Sequence, residues 1–165
     1  AYDQAVRDPA NVTDLHDMRI ASKRLRYVLE IFEIAFTADL EPHIDQIKVL
    51  QDLLGDIHDC DVQVPMLEQH LAWLAGREAG AARRLVAESA SRIAGAPPTE
   101  EEFRAFQHRL EVGRRGAERL GVHALIGRRR RKGNDLYARF IAQWQRMDDE
   151  GFRDGLESAL GIARG

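Results

Sequence analysis

A chain of 165 residues with 44% hydrophobic and 31% charged residues and only five prolines is long enough to bury a core as one domain and too apolar to stay disordered. Its formal net charge of −3 excludes a molecule-wide positive field that would draw polyanions from a distance, so any anion site has to be local. The single Cys60 excludes an internal disulfide, no apolar run approaches the roughly 20 residues that span a bilayer, and a reducing, cytoplasmic setting is the expectation.

Residues 13–36 carry Leu15, Met18, Leu25, Val28, Leu29, Phe32 and Phe36 on one side of a 3.6-residue repeat, which predicts an amphipathic helix. Thr13 or Asp14 is placed to cap it. After a short connection over 37–42, Ile44, Ile47, Leu50, Leu54 and Ile57 recur at steps of three and four and predict a second helix over 40–59. So short a link favours antiparallel neighbours. A third helix is expected over 62–76, capped by Asp61, with Pro65 in its first turn and Leu67, Leu71 and Leu74 on its apolar face, ending near Gly76.

Residues 77–120 read as a variable helical hairpin. Its Ala- and Arg-rich first arm is broken at Ala96-Pro97-Pro98-Thr99, and Glu100, Glu101 and Glu102 open the second arm. The second arm has a thin stripe of Phe103, Phe106 and Leu110, weakened by Gly113 and Gly116. A last long helix is expected over 122–147 from Val122, Leu125, Leu136, Phe140, Trp144 and Met147, followed by a short one within 151–162. No segment sustains strand-like alternation. The expected fold is therefore all-α: an antiparallel helical bundle in a single domain spanning 1–165, with four core helices and the 77–120 hairpin inserted.

Chemistry enters beside the apolar stripes. On the first helix His16, Arg19, Lys23 and Arg26 are spaced 3, 4 and 3 apart, a polar ladder about 15 Å long at roughly 1.5 Å per residue. Lys48, Gln51, Gly55 and His58 repeat that spacing on the second helix. Two such ladders can line one groove, and Gly55 would leave space in it. A lone basic stripe is more often a solvated face, and Asp14, Asp17, Glu30 and Glu33 match the first helix's basic charges in number. Only segregation around the helix would make a positive face.

The run Arg128, Arg129, Arg130, Arg131 and Lys132, with Arg139 nearby, faces a single local acid, Asp135. Successive helical residues step about 100° around the axis, so most of the run must face water. Arg129 falls within the apolar stripe and needs an anion, either Asp52 or Asp56 or a phosphate, because an unpaired buried charge is costly.

Nothing in the chain calls for catalysis or a cofactor. No pair of the six histidines has metal-site spacing, and neither a glycine-rich phosphate loop nor a nucleophile elbow occurs.

The segment LHDMRIASKRLRYVLEIF (Leu15 to Phe32), together with IKVLQDLLGDIHDCDV (Ile47 to Val62), resembles the CHAD domain, the histidine-containing α-helical domain family. RRRRKGNDLYARFIAQW resembles that family's closing Arg-rich segment. The resemblance implies helical bundles whose basic residues surround a groove that binds inorganic polyphosphate without hydrolysing it. His16, Arg19, Lys23 and Arg26 match the first-helix motif, Lys48 and His58 the second, and Arg128, Arg129 and Arg131 fall in the closing segment.

The family commonly pairs two related bundles. This chain holds about one and opens without an initiator Met, so it reads as a piece of a longer protein, and a homodimer or a flanking segment would complete the groove. The resemblance also implies an alternative role, as a helper domain fused to or associated with a triphosphate-tunnel (CYTH) enzyme. Nucleic-acid binding is a weaker reading, for want of a basic stripe interleaved with exposed aromatics.

Overall fold

The computed structural model describes residues 8–34, 39–93, 99–112 and 116–161, which form five helices and no strand. They are α1 (Val12–Glu33), α2 (Glu41–Ile93), α3 (Glu100–Val112), α4 (Gly116–Asp149) and α5 (Phe152–Ala159). The all-α expectation holds. Phe36, Thr37 and Ala38 at the start of the 37–42 connection, and the Ala96–Pro98 break lie outside the described residues.

Asn11, rather than Thr13 or Asp14, caps α1. Its Oδ1 accepts from the Asp14 backbone N–H at 3.3 Å, and its Nδ2 donates to the Asp14 carboxylate at 2.7 Å. The exchange satisfies one of the first-turn donors and sets a carboxylate at the positive end of the helix dipole. At α3, Thr99 and Glu102 form a reciprocal box. The Glu102 N–H donates to Thr99 Oγ1 at 3.3 Å, and the Thr99 N–H donates to Glu102 Oε2 at 2.8 Å.

The second and third core helices expected over 40–59 and 62–76, and the first arm of the hairpin, are one helix of 53 residues, α2, that runs through Pro65. A proline inside a helix removes one backbone hydrogen bond and costs about 3 kcal/mol. Pro65 is exposed, so the carbonyl it frees can turn to water, and the apolar residues on either side, Ile57 and Cys60 before it and Leu74 after it, are buried. Burial at about 1.5–3 kcal/mol per large side chain outweighs that local penalty. Asp61 consequently sits inside the helix, half-buried, with its carboxyl pushed above the ordinary range by desolvation and opposed by His58.

The chain divides into two compact units, 1–63 with 129–165, and 64–128. In the first, Leu15, Met18, Leu50, Leu53, Leu54, Ile57, Cys60, Leu136, Phe140 and Met147 form one cluster. Leu29, Leu40, Ile44 and Ile47 form another, closed over by Phe152 and Leu156. A Cβ at Gly133 would stand 3.5 Å from that of Cys60, a close approach of α4 to α2. Gln46 Nε2 of α2 donates at 3.0 Å to Glu150, just past the end of α4. In the second unit Leu74 and Ile126 are buried, and Arg119 of α4 pairs with Glu78 of α2 at 3.2 Å.

The apolar stripe of α1 is narrower than its sequence suggests. Leu15, Met18, Ser22 and Leu29 are buried, whereas Leu25, Val28 and Phe32 are 38%, 47% and 44% exposed. The buried line advances by three, four and seven residues, a two-per-heptad seam, so side chains to either side of it become edges.

Candidate functional site: a two-helix ladder

Every ladder residue except Arg26, which follows the exposed Leu25, stands one position after a residue of the buried seam. His16, Arg19 and Lys23 follow Leu15, Met18 and Ser22, and Lys48, Gln51, Gly55 and His58 follow Ile47, Leu50, Leu54 and Ile57. Packing the two seams together therefore brings the two ladders alongside in opposite directions, with His16 beside His58, Arg19 beside Gly55 and Arg26 near Lys48.

The His16 and His58 rings lie 5.0 Å apart between centroids, tilted by 43°. At the next rung the Arg19 guanidinium Nε is 3.9 Å from where a Cβ on Gly55 would be. At the far rung Arg26 and Lys48 are electrostatic neighbours. The missing side chain at Gly55 is the space in which Arg19 rests.

The rungs differ in how their charge is held. Arg19 and Lys23 pair with no carboxylate among the described residues. Lys23 instead lies over the Tyr27 ring at 5.8 Å, which Arg26 also approaches at 4.9 Å. Arg26 is tied to Glu30 of its own helix at 3.4 Å, and Lys48 to Asp45 at 3.0 Å. The Asp45 hydrogen bond raises the Lys48 ammonium above its ordinary range, with Glu30 adding and Arg26 opposing. Two like charges from separate helices thus share a rung, each offset locally by an acid three or four residues away.

Beside the Arg19–Gly55 rung opens a cavity of about 530 Å³. It is bordered by Arg19 and by Arg139 of α4, and also by Asp52, Asp56 and Asp59. The cavity is not uniformly positive, since its lining carries two arginines and three aspartates together.

The Arg run behaves as its helical phase requires. Arg128, Arg130, Arg131 and Lys132 are exposed and Arg129 is half-buried. The ion pair considered for Arg129 with Asp52 or Asp56 does not form; Lys132 takes Asp56 at 3.4 Å. Arg129 acts instead on Cys60, whose thiol is raised by burial and pulled back by Lys132 and Arg129. Arg128 falls in the 64–128 unit and Arg131 in the other, and among the described residues neither makes an ion pair. Lys132 and Arg139 were missed as site neighbours. Their positions about one and three turns beyond Arg128 were legible, but not the acids they would meet.

The segment that carries both ladders is also the one with a family match. Residues 1–68 match the family model of the CHAD domain. The match bears out the resemblance of the first two helical segments and contains every rung. The Arg-rich run of α4 lies outside it. No curated protein and no solved structure matches the chain. No group of three or more metal-ligating side chains occurs among the described residues. No described helix is long and apolar enough to cross a membrane.

Proposed function

We propose that the CHAD segment binds inorganic polyphosphate along the α1–α2 ladder, without catalysis, using His16, Arg19, Lys23, Arg26, Lys48 and His58. Arg128, Arg129 and Arg131 of α4 supply further cationic contacts. The observation that carries this reading is the register of the two ladders. It sets cations and imidazoles of two helices along one line, with Arg19 and Lys23 free of carboxylate partners among the described residues. The CHAD family is associated with polyphosphate and with triphosphate-tunnel enzymes, which is the same chemistry seen from the ligand's side.

A linear phosphate polymer needs cations repeated along a line rather than one enclosed pocket. Guanidinium groups suit it through paired N–H donation to two phosphate oxygens. Each phosphate contact releases condensed counterions, so affinity should fall linearly on a log–log plot against salt, as it does for nucleic acids.

Electrophoretic retardation of end-labelled polyphosphate by the purified chain tests the proposal. Retardation at low salt, fading as salt rises and unaccompanied by release of orthophosphate, is the expected result. Replacing Arg19, Lys23 and Arg26 together by Ala should weaken it about a hundredfold, at roughly 1 kcal/mol for each cation lost, while the helical circular dichroism is retained. A triple variant that binds as well as the parent places the site elsewhere.

A further inference from the structure

The 64–128 unit carries a second basic face, built from residues beyond the CHAD segment. On α2, His70, Arg77 and Arg84 recur every seven residues, so they lie along one side of the helix over about 21 Å at roughly 1.5 Å per residue. Trp73 stands among them, 52% exposed. The His70 ring stacks on it at 5.5 Å with 25° between planes, and the Arg77 guanidinium lies over it at 4.5 Å.

His70 precedes Trp73 by three residues and Arg77 follows by four, so the indole is bracketed from both directions along the helix. Between the two arginines Gly76 and Gly80 present no side chain. A Cβ at Gly76 would meet nothing within 4 Å, and one at Gly80 would meet only Arg84 at 3.8 Å. The result is a cavity of about 440 Å³, lined by Trp73, Gly76, Arg77, Gly80, Ala81 and Arg84.

We propose that this face is a second polyphosphate-contact strip, in which Arg77 and Arg84 hold the polymer and Trp73 holds Arg77 ready. The inference rests on the polyphosphate reading of the ladder and extends it to a surface outside the matched family segment.

Three features favour it. Arg77 and Arg84 are exposed and pair with no carboxylate among the described residues, while Glu78, the acid adjacent to Arg77, is already engaged by Arg119. Arginine stacked on an indole has lost part of its rotamer freedom before a ligand arrives, so less is lost on binding. The glycines let a chain without bulky substituents lie against the helix. The bracketing of Trp73 selects among polyanions. Single-stranded nucleic acid draws affinity from bases stacked on open aromatic faces, whereas here His70 and Arg77 occupy the ring. A polymer of phosphates without bases is the better fit.

The test uses the full chain with Trp144→Phe, which leaves Trp73 as its single indole. Inorganic polyphosphate is titrated at low salt while Trp73 emission and electrophoretic mobility are followed together. The expected result is an emission change that saturates with the mobility shift. Arg77→Ala with Arg84→Ala, both at exposed positions, should abolish that change and weaken binding about tenfold. The same pair should also make the slope of log affinity against log salt shallower by about 1.4, at roughly 0.7 per lost contact.

A normal mobility shift with unmoved Trp73 emission and an unchanged slope in the double variant overturns the strip and leaves the ladder standing. Absence of any shift in the parent overturns both. Oligouridylate that displaces polyphosphate from Trp73 at equal phosphate concentration overturns the choice of ligand.

Discussion

His16 of α1 and His58 of α2 are 42 positions apart in sequence and face one another across 5.0 Å. Their meeting fixes the register of every other rung, because a slide of either helix by one turn would set His58 against Arg19 and remove Gly55 from beneath it.

Asp52, Asp56 and Asp59 border the cavity beside Arg19 and Arg139. If the polymer passes over this cavity, their carboxylates oppose it. Changing all three to Asn should tighten polyphosphate binding severalfold at low salt, with the gain disappearing once the Debye length shrinks to about 3 Å in 1 M salt. Equal affinity of parent and variant at low salt would route the polymer away from the cavity.

Gly55→Ala should leave binding intact, because the added methyl would meet Arg19 at an ordinary 3.9 Å. The same change should stabilise α2 by about 0.5–1 kcal/mol, the usual cost of glycine within a helix. Gly55→Leu should instead displace Arg19 and cost affinity. Denaturant melts and retardation assays of the two variants separate backbone from site.

Burial raises the Cys60 thiol, with Lys132 and Arg129 opposing. In the unfolded chain a thiol ionises near 8.5, below its folded value, so the folded state keeps the proton longer. The associated stability is whole below the unfolded value and is lost as pH rises from there through the folded value. Tyr137, raised chiefly by burial as well, adds a loss of the same sign at higher pH. Unfolding midpoints in urea should therefore fall between pH 8 and 10, and Cys60→Ala should make that fall shallower. A thiol that alkylates at pH 7.5 as fast as free cysteine would contradict its burial.

Phe140 is fully buried among the residues that pack α1, α2 and α4 of the first unit. Phe140→Ala should cost about 3–5 kcal/mol, the range for deleting a core aromatic. That is comparable to the whole stability of many domains. Urea titration followed by circular dichroism measures it, and a loss below 1 kcal/mol would mean that the core is not packed as described.

The helical class, the two ladders and the outward turn of most of the Arg run were legible in the sequence, because each depends on spacing along one helix. Ile44, Ile47, Leu50, Leu54 and Ile57 recur at intervals that only a helix brings to one face, and all five are buried. What spacing cannot reveal is which of two adjacent stripes becomes the seam. Ser22 is buried while Leu25, Val28 and Phe32 are exposed, since the partner helix covers a band narrower than the apolar one. Nor does local chemistry reveal that Pro65 lies within a helix, because burial on both sides outweighs the single hydrogen bond it removes.

Sequence by itself therefore determined the elements and the cation-bearing positions, all of them short-range properties of a 3.6-residue repeat. Tertiary structure alone decided that His16 meets His58, that Arg19 rests over Gly55, and that Asp56 goes to Lys132 rather than to Arg129. Those pairings depend on how two helices slide and turn against each other, which is set by the packing of both seams together and is written in neither one alone.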